Sequence, residues 1–141
     1  MDSKLNRERL EASLLVEMGM AARDPMAWGK DDCALWCANI LKDALGYDAA
    51  ERFRGRYRTR IGARRVLGKV GLAGALRASA RKHRWRRINE GAERVGDIGV
   101  AILNGVPSTV ICRAPGWFVG RNESGWTALQ SKVVRIMWSV V

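Results

Sequence analysis

Apolar residues recur at helical spacing through the first third of the chain. A stripe between charged residues predicts an amphipathic first helix over about residues 4–20, ended by Asp24-Pro25. The stripe consists of Leu5, Leu10, Leu14, Leu15 and Met18. A second helix is predicted over Ala34 to Leu45, with Asp31 and Asp32 as capping residues and Gly46 as its stop. Cys33 therefore lies at or just inside the first turn of that helix.

The pattern changes after the middle of the chain. Two short helices are predicted at about Thr59–Lys69 and Leu72–Lys82, separated by Gly68 and Gly71. Four β-branched or aromatic runs follow, and Asn104-Gly105 between two of them is a strong hairpin signal. The runs are Val95–Leu103, Val106–Arg113, Trp117–Val119 and Lys132–Val140. Helices first and strands later predict an α+β fold, in which N-terminal helices pack on a small antiparallel sheet.

Composition fits a single domain over residues 1–141, with a basic helical insertion at about 48–90. Hydrophobic residues make up 48% of the chain, enough for a core, and no apolar run approaches the roughly 18 residues of a membrane span. The charged N-terminus has no signal-peptide pattern. Three cysteines argue against a disulfide framework, and one histidine against a zinc site, so we expect no metal and no cofactor.

The net charge of +11 is concentrated in one segment. From Arg52 to Arg87 there are fourteen Lys or Arg residues and no Asp or Glu. Such a segment repels itself, so we expect it to dock an anionic partner. An acidic subunit, lipid phosphate and nucleic acid are all open at this point, although no nucleic-acid-binding motif is present. Trp85, Trp117, Trp126 and Trp138 are expected to be core residues or interface anchors.

The segment Trp28-Gly29-Lys30-Asp31-Asp32-Cys33 carries the candidate chemistry. A thiolate at a helix N-terminus is favoured by the helix dipole and by free backbone N–H groups, as a cysteine nucleophile requires. Buried cysteines on apolar helices are also common and inert. The placement of Cys33 alone leaves both interpretations open.

The order of short motifs resembles that of NlpC-type, papain-like cell-wall peptidases. Trp28-Gly29, Asp32-Cys33, Gly46 and Gly96-Asp97 follow the family's sequence of turn, cysteine helix and first sheet strand, over roughly residues 25–47 and 94–120. The stretch from Phe53 to Thr59, followed by Gly62-Ala63, is similar to a small uncharacterised group encoded in phage tail clusters, among tail-tip and baseplate genes. The resemblance implies a papain-like domain located in the virion tail after synthesis in the host cytoplasm.

The chain departs from that family at its catalytic base. The resemblance places the general-base histidine at Ser108 and the third, orienting residue near Gly120 to Asn122, where Asn122 could stand. A serine hydroxyl cannot take a thiol proton near neutral pH. His83 lies before the sheet in a basic segment, where we expect it to be solvated and its pKa to be depressed by nearby cations.

These observations predict a structural component of a phage tail tip or baseplate, built on a catalytically impaired NlpC-like scaffold. Its partners would be other tail proteins, with an anionic partner at Arg52–Arg87. The alternative is an active cysteine peptidase or amidase acting on cell-wall peptides, with Cys33 as its nucleophile. A basic nucleic-acid-binding protein is the second alternative.

Overall fold

Helices precede strands along the chain, as the sequence pattern predicts. A computed structural model describes residues 3–141. Within that range there are four α-helices and six strands. The helices are α1 (Ser3–Ala21), α2 (Cys33–Leu45), α3 (Arg60–Leu67) and α4 (Gly71–His83). The strands are β1 (Arg86–Ile88), β2 (Ile98–Leu103), β3 (Val106–Ala114), β4 (Trp117–Asn122), β5 (Gly125–Gln130) and β6 (Val134–Ser139). The α+β class is confirmed.

One antiparallel sheet has the strand order β1-β6-β2-β3-β4-β5. The predicted Asn104-Gly105 hairpin joins β2 to β3, and both turn residues have positive φ. Two of the six strands were missed. β1 is a short, largely exposed edge strand that carries Arg86 and Arg87, and β5 alternates exposed residues with half-buried ones and a single buried residue, Leu129. Neither has the apolar run that marks a buried strand, so the sheet begins in the chain at β1 and not at Gly96-Asp97.

The helices follow their local signals. Asp32 caps α2 by accepting a hydrogen bond from the Leu35 N–H at 3.2 Å, and Gly46 ends the helix in the left-handed conformation. A short 3-10 turn at Gly68–Val70 separates α3 from α4. In α1 the predicted stripe was partly wrong, because Leu5 and Leu15 are 39% and 46% exposed. The buried side of α1 instead combines Leu10 and Leu14 with small polar residues.

Both faces of the sheet are buried. The face toward the helices carries Ile98, Val100, Ile111, Val119, Ile136 and Trp138. The opposite face carries a second cluster, formed by Ala101, Val110, Cys112, Phe118, Leu129, Val134 and Met137. Alternate residues of each strand therefore supply two cores, which explains the nearly continuous apolar run of β2.

A buried ion pair fixes α1 to the start of β2. Arg7 donates to the Asp97 carboxylate at 2.6 Å and also to the Val95 carbonyl and the Ser139 hydroxyl. Asp97 is fully buried, and it accepts further hydrogen bonds from the backbone N–H groups of Arg94 and Val140. Gly96 precedes it with φ +92°, and an added Cβ would lie 2.6 Å from the Leu10 side chain. The Gly-Asp motif thus has a structural explanation.

The basic segment is exposed, as expected. Of its fourteen Lys and Arg residues only Arg54 is half-buried. Arg54 pairs with Asp48 at 2.6 Å, and this hydrogen bond lowers the pKa of the Asp48 carboxyl. The segment lies in the chain between α2 and β2, and its last residues enter the edge strand β1. Among residues 3–141, no helix is long and apolar enough to cross a bilayer.

We predict that Arg7→Met lowers the free energy of unfolding by about 3–5 kcal/mol, because it leaves the Asp97 charge buried without its partner. Arg113→Met is the matched control, since it breaks an exposed pair between Glu11 of α1 and β3. Arg113→Met should lower the free energy of unfolding by less than about 1 kcal/mol. Chemical denaturation measures both, and equal losses would contradict the special role of the buried pair.

Candidate active-site cleft

Cys33 lies in an open cleft of about 1000 Å³. The N-terminus of α2 forms its base, α3 forms one wall, and the β2–β3 and β4–β5 turns form the other side. Cys33, Ser108 and Asn122 are all among the residues that line this cleft. Trp28, Tyr57 and Arg121 line it as well.

The carboxylate of Asp32 organises the segment around Cys33. It accepts hydrogen bonds from the N–H groups of Gly29 and Leu35 and from the Tyr57 hydroxyl at 2.9 Å. Gly29 has φ +85°, and a Cβ there would lie 2.3 Å from the Tyr57 carbonyl oxygen. We call this group, formed by Gly29, Asp32, Leu35 and Tyr57, the Asp32 clasp. It joins the Trp-Gly turn, the cysteine helix and the Arg-Gly-Arg-Tyr stretch into one unit.

A second group holds the opposite side of the cleft. The Arg121 side chain is fully buried and donates to the Asp31 carboxylate at 3.1 Å. It also donates to the backbone carbonyls of Ala21, Asp24 and Gly125. Arg121 therefore ties the end of α1 and the loop before α2 to the β4–β5 hairpin.

The Cys33 thiol is held between α2 and β3. The backbone N–H groups of Thr109 and Ala34 donate hydrogen bonds to it, which favours the thiolate. Burial outweighs them and, with the neighbouring Asp32 charge, raises the pKa of Cys33 to about 11. At pH 7 only about one thiol in ten thousand is then ionised.

The pairing of β3 explains how Thr109 reaches the sulfur. Cys112 exchanges hydrogen bonds with the Gly96–Asp97 segment next to β2, so the backbone groups of Thr109 and Ile111 point the other way, toward β4. β3 pairs with β4 only from Ile111 onward. The N–H of Thr109 therefore points to the side of β3 that β4 leaves unpaired at this position, where it donates to the Cys33 sulfur.

The remaining sequence candidates do not act on the thiol. The Ser108 hydroxyl donates to the Val106 carbonyl at 3.2 Å, and Ser108 shares a face of β3 with Val110 and Cys112. The Asn122 side chain accepts from the Ser124 N–H within its own turn.

His83 is half-buried rather than solvated. It stacks on Tyr47 at 4.1 Å between ring centroids, and burial together with Lys82 lowers its pKa. Among residues 3–141, His83 is not one of those that line the cleft, and the chain has no other histidine.

Sequence reasoning missed Tyr57, Thr109 and Arg121 as parts of this site. Arg121 carried a usable signal, because a charged residue in a strand that begins with an apolar run needs a partner when the strand is buried. Tyr57 and Thr109 carried none, since their contacts with the cysteine helix span 25 residues or more of chain.

A family model matches the chain over residues 6–140, nearly its full length. The chain belongs to the DUF6950 family. The family is described as a domain of unknown function, so membership assigns no activity to the DUF6950 domain. No curated protein matches the chain.

We predict that Gly29→Ala destabilises this DUF6950 domain by several kcal/mol more than Gly46→Ala. Both glycines have φ near +85°, which costs an alanine about 1–2 kcal/mol. Only at Gly29 does the new Cβ also meet a backbone carbonyl, whereas nothing lies within 4 Å at Gly46. Thermal and chemical denaturation compare the two variants, and equal losses would remove the proposed contact between the Trp-Gly turn and Tyr57.

We also predict that Cys33 reacts slowly with iodoacetamide near neutral pH. A pKa of about 11 in place of 9.0 reduces the thiolate fraction about 100-fold, so the rate should keep rising up to pH 10. Site-resolved mass spectrometry separates Cys33 from the buried Cys37 and Cys112. A rate that levels off below pH 8 would show an activated thiol and contradict the prediction.

Proposed function

We propose that this DUF6950 domain is a structural component of a phage tail tip or baseplate, built on an NlpC-like papain-type scaffold that no longer hydrolyses peptides. One observation carries the proposal. The cysteine at the N-terminus of α2 has a raised pKa, and no imidazole lies among the described residues that line its cleft.

The scaffold part of the proposal is supported by the position of Cys33. The residue begins a helix that packs on an antiparallel sheet, and the Gly96-Asp97 motif sits just before β2. This is the arrangement that the resemblance to NlpC-type peptidases led us to expect. The Asp32 clasp accounts for the Trp-Gly and Asp-Cys motifs without requiring catalysis.

The loss of hydrolysis follows from proton chemistry. A cysteine peptidase needs a base that takes the thiol proton and then returns a proton to the leaving group, and such transfer contributes about 10²–10⁴-fold to the rate. The Ser108 hydroxyl, at the proposed histidine position, donates a hydrogen bond to a backbone carbonyl and cannot take a thiol proton near neutral pH. Tyr57 donates to Asp32, and burial beside that carboxylate raises its pKa, so Tyr57 is not a base either.

The assembly part of the proposal is supported by the surface. The Arg and Lys side chains of the basic segment are almost all exposed, and Trp117 and Trp126 are 46% and 37% exposed. Trp85 and Trp138 are instead buried in the core. Large exposed aromatic side chains and unpaired cations are typical anchors of protein interfaces.

An active peptidase is the second candidate, favoured by the position of Cys33 at the N-terminus of α2 and by the hydrogen bonds that Thr109 and Ala34 donate to the sulfur. These hydrogen bonds and the helix N-terminus favour the thiolate, which is the nucleophilic form of the residue. Burial outweighs them, and the raised pKa of Cys33 opposes deprotonation of the thiol.

The deciding experiment measures hydrolysis of purified peptidoglycan fragments by the wild type, Cys33→Ala and Ser108→His. We expect the wild type and Cys33→Ala to be equally inactive, because no base activates the thiol. Wild-type turnover that disappears in Cys33→Ala would establish the peptidase instead.

Tail membership is tested on phage particles assembled from the genome that encodes the chain. We expect mass spectrometry of purified tails to contain the domain at a fixed ratio to the tail proteins. Its absence from mature particles would contradict a structural role.

A further inference from the structure

We propose that the cleft beside Cys33 binds an extended acidic segment of a neighbouring protein, with its carboxylates along α3 and its apolar side chains on the β2–β3 turn. This inference rests on the proposed function and deepens it, since it names the chemistry of the partner and the surface that receives it. The cleft has two walls, one cationic and one apolar.

The first wall is cationic. Arg60 and Arg64 lie one helical turn apart on α3, both are exposed, and both line the cleft. The basic segment that includes α3 has no acidic residue, and α3 itself has no fully buried residue. We call Arg60 and Arg64 the cationic wall. A carboxylate brought to this wall meets two cations that have no acidic neighbour within their own segment.

The second wall is apolar. Ile102, Leu103, Val106 and Pro107 line the cleft from the β2–β3 turn, and Ile102 is 39% exposed. We call these four residues the apolar wall. Trp28 and Met26, both half-buried, add apolar surface near the loop before α2. The cleft therefore offers charge on one side and hydrophobic contact on the other.

The carboxylates that line the cleft do not neutralise the cationic wall. Asp32 is buried and already accepts three hydrogen bonds within the Asp32 clasp. Glu123 is exposed on the β4–β5 turn. Its backbone carbonyl accepts a hydrogen bond from the Met26 N–H, so it lies on the side of the cleft formed by the loop before α2. The positive charge is thus concentrated at the α3 wall.

An extended polypeptide fits two such walls. Alternate side chains of an extended segment point in opposite directions, so a segment with alternating acidic and apolar residues satisfies both walls at once. A nucleic acid would place phosphates against the apolar wall, which offers no cation, and it would need stacking platforms. Tyr57 is held by Asp32 and leaves Trp28 as the free aromatic side chain among the described cleft residues.

The test uses a fluorescein-labelled ten-residue peptide in which Glu alternates with Leu or Ala, measured by anisotropy at physiological salt. The double variant Arg60→Glu with Arg64→Glu should bind it about tenfold more weakly than the wild type. Arg86→Glu with Arg87→Glu is the matched control, because both residues are exposed on β1 and neither lines the cleft. That control should change the affinity less than about twofold, because neither side chain lines the cleft and exposed charges contribute little at physiological salt.

Two further comparisons separate specific docking from simple charge attraction. Ile102→Ser should weaken binding about threefold without a change in charge, because it removes apolar contact. A single-stranded thymidine oligonucleotide of ten residues should bind more weakly than the peptide. Equal loss in both arginine double variants, or tighter binding of the oligonucleotide, would overturn the inference.

The outcome is independent of the hydrolysis assay. Failure of the peptide to bind, with no turnover of peptidoglycan fragments, overturns only the docking site. If peptidoglycan turnover depends on Cys33 and peptide binding still depends on Arg60 and Arg64, the structural role is overturned. The proposal that the cleft binds an acidic ligand then stands.

Discussion

The ion pair between Arg7 and Asp97 connects parts of the chain that are far apart in sequence. It joins α1 to the residues before β2, and through Ser139 and the Val140 N–H it also reaches the end of β6. Asp97 is fully buried, so its charge is tolerated only while Arg7 and the two backbone N–H groups surround it. The position of α1 on the sheet, and with it the packing of α2 between α1 and β3, depends on this contact.

The Asp32 clasp uses the same physical means at the cleft. In both places a buried carboxylate accepts hydrogen bonds from backbone N–H groups and from one long side chain. A nearby glycine with positive φ allows another segment of the chain to pack closely against the backbone there. Charge-assisted hydrogen bonds of this kind are stronger than neutral ones and are specific in geometry. The motifs that resemble a peptidase signature are therefore also the points at which distant segments of the backbone are joined.

The sequence predicted the elements whose signals are local. The cap at Asp32, the stop at Gly46, the break at Gly68 and the Asn104-Gly105 hairpin each depend on a few neighbouring residues. It failed for β1 and β5, because exposed edge strands lack an apolar run, and for Leu5 and Leu15, because tertiary packing sets which side of α1 is buried. In the cleft, Cys33 could be placed from its cap alone. The contacts of Tyr57 and Thr109 could not, since strand register and long-range packing determine them.

The hydrogen bonds that Cys33 accepts from Thr109 and Ala34 change what the presence of this cysteine means. The sulfur accepts hydrogen bonds from two backbone N–H groups at the junction of a helix and a strand, so a substitution that removes it would leave both donors without this acceptor. A search that identifies cysteine peptidases by the Trp-Gly and Asp-Cys motifs alone would therefore also select chains in which these motifs have a structural explanation. Requiring an imidazole within reach of the thiol as well would make such a search more specific.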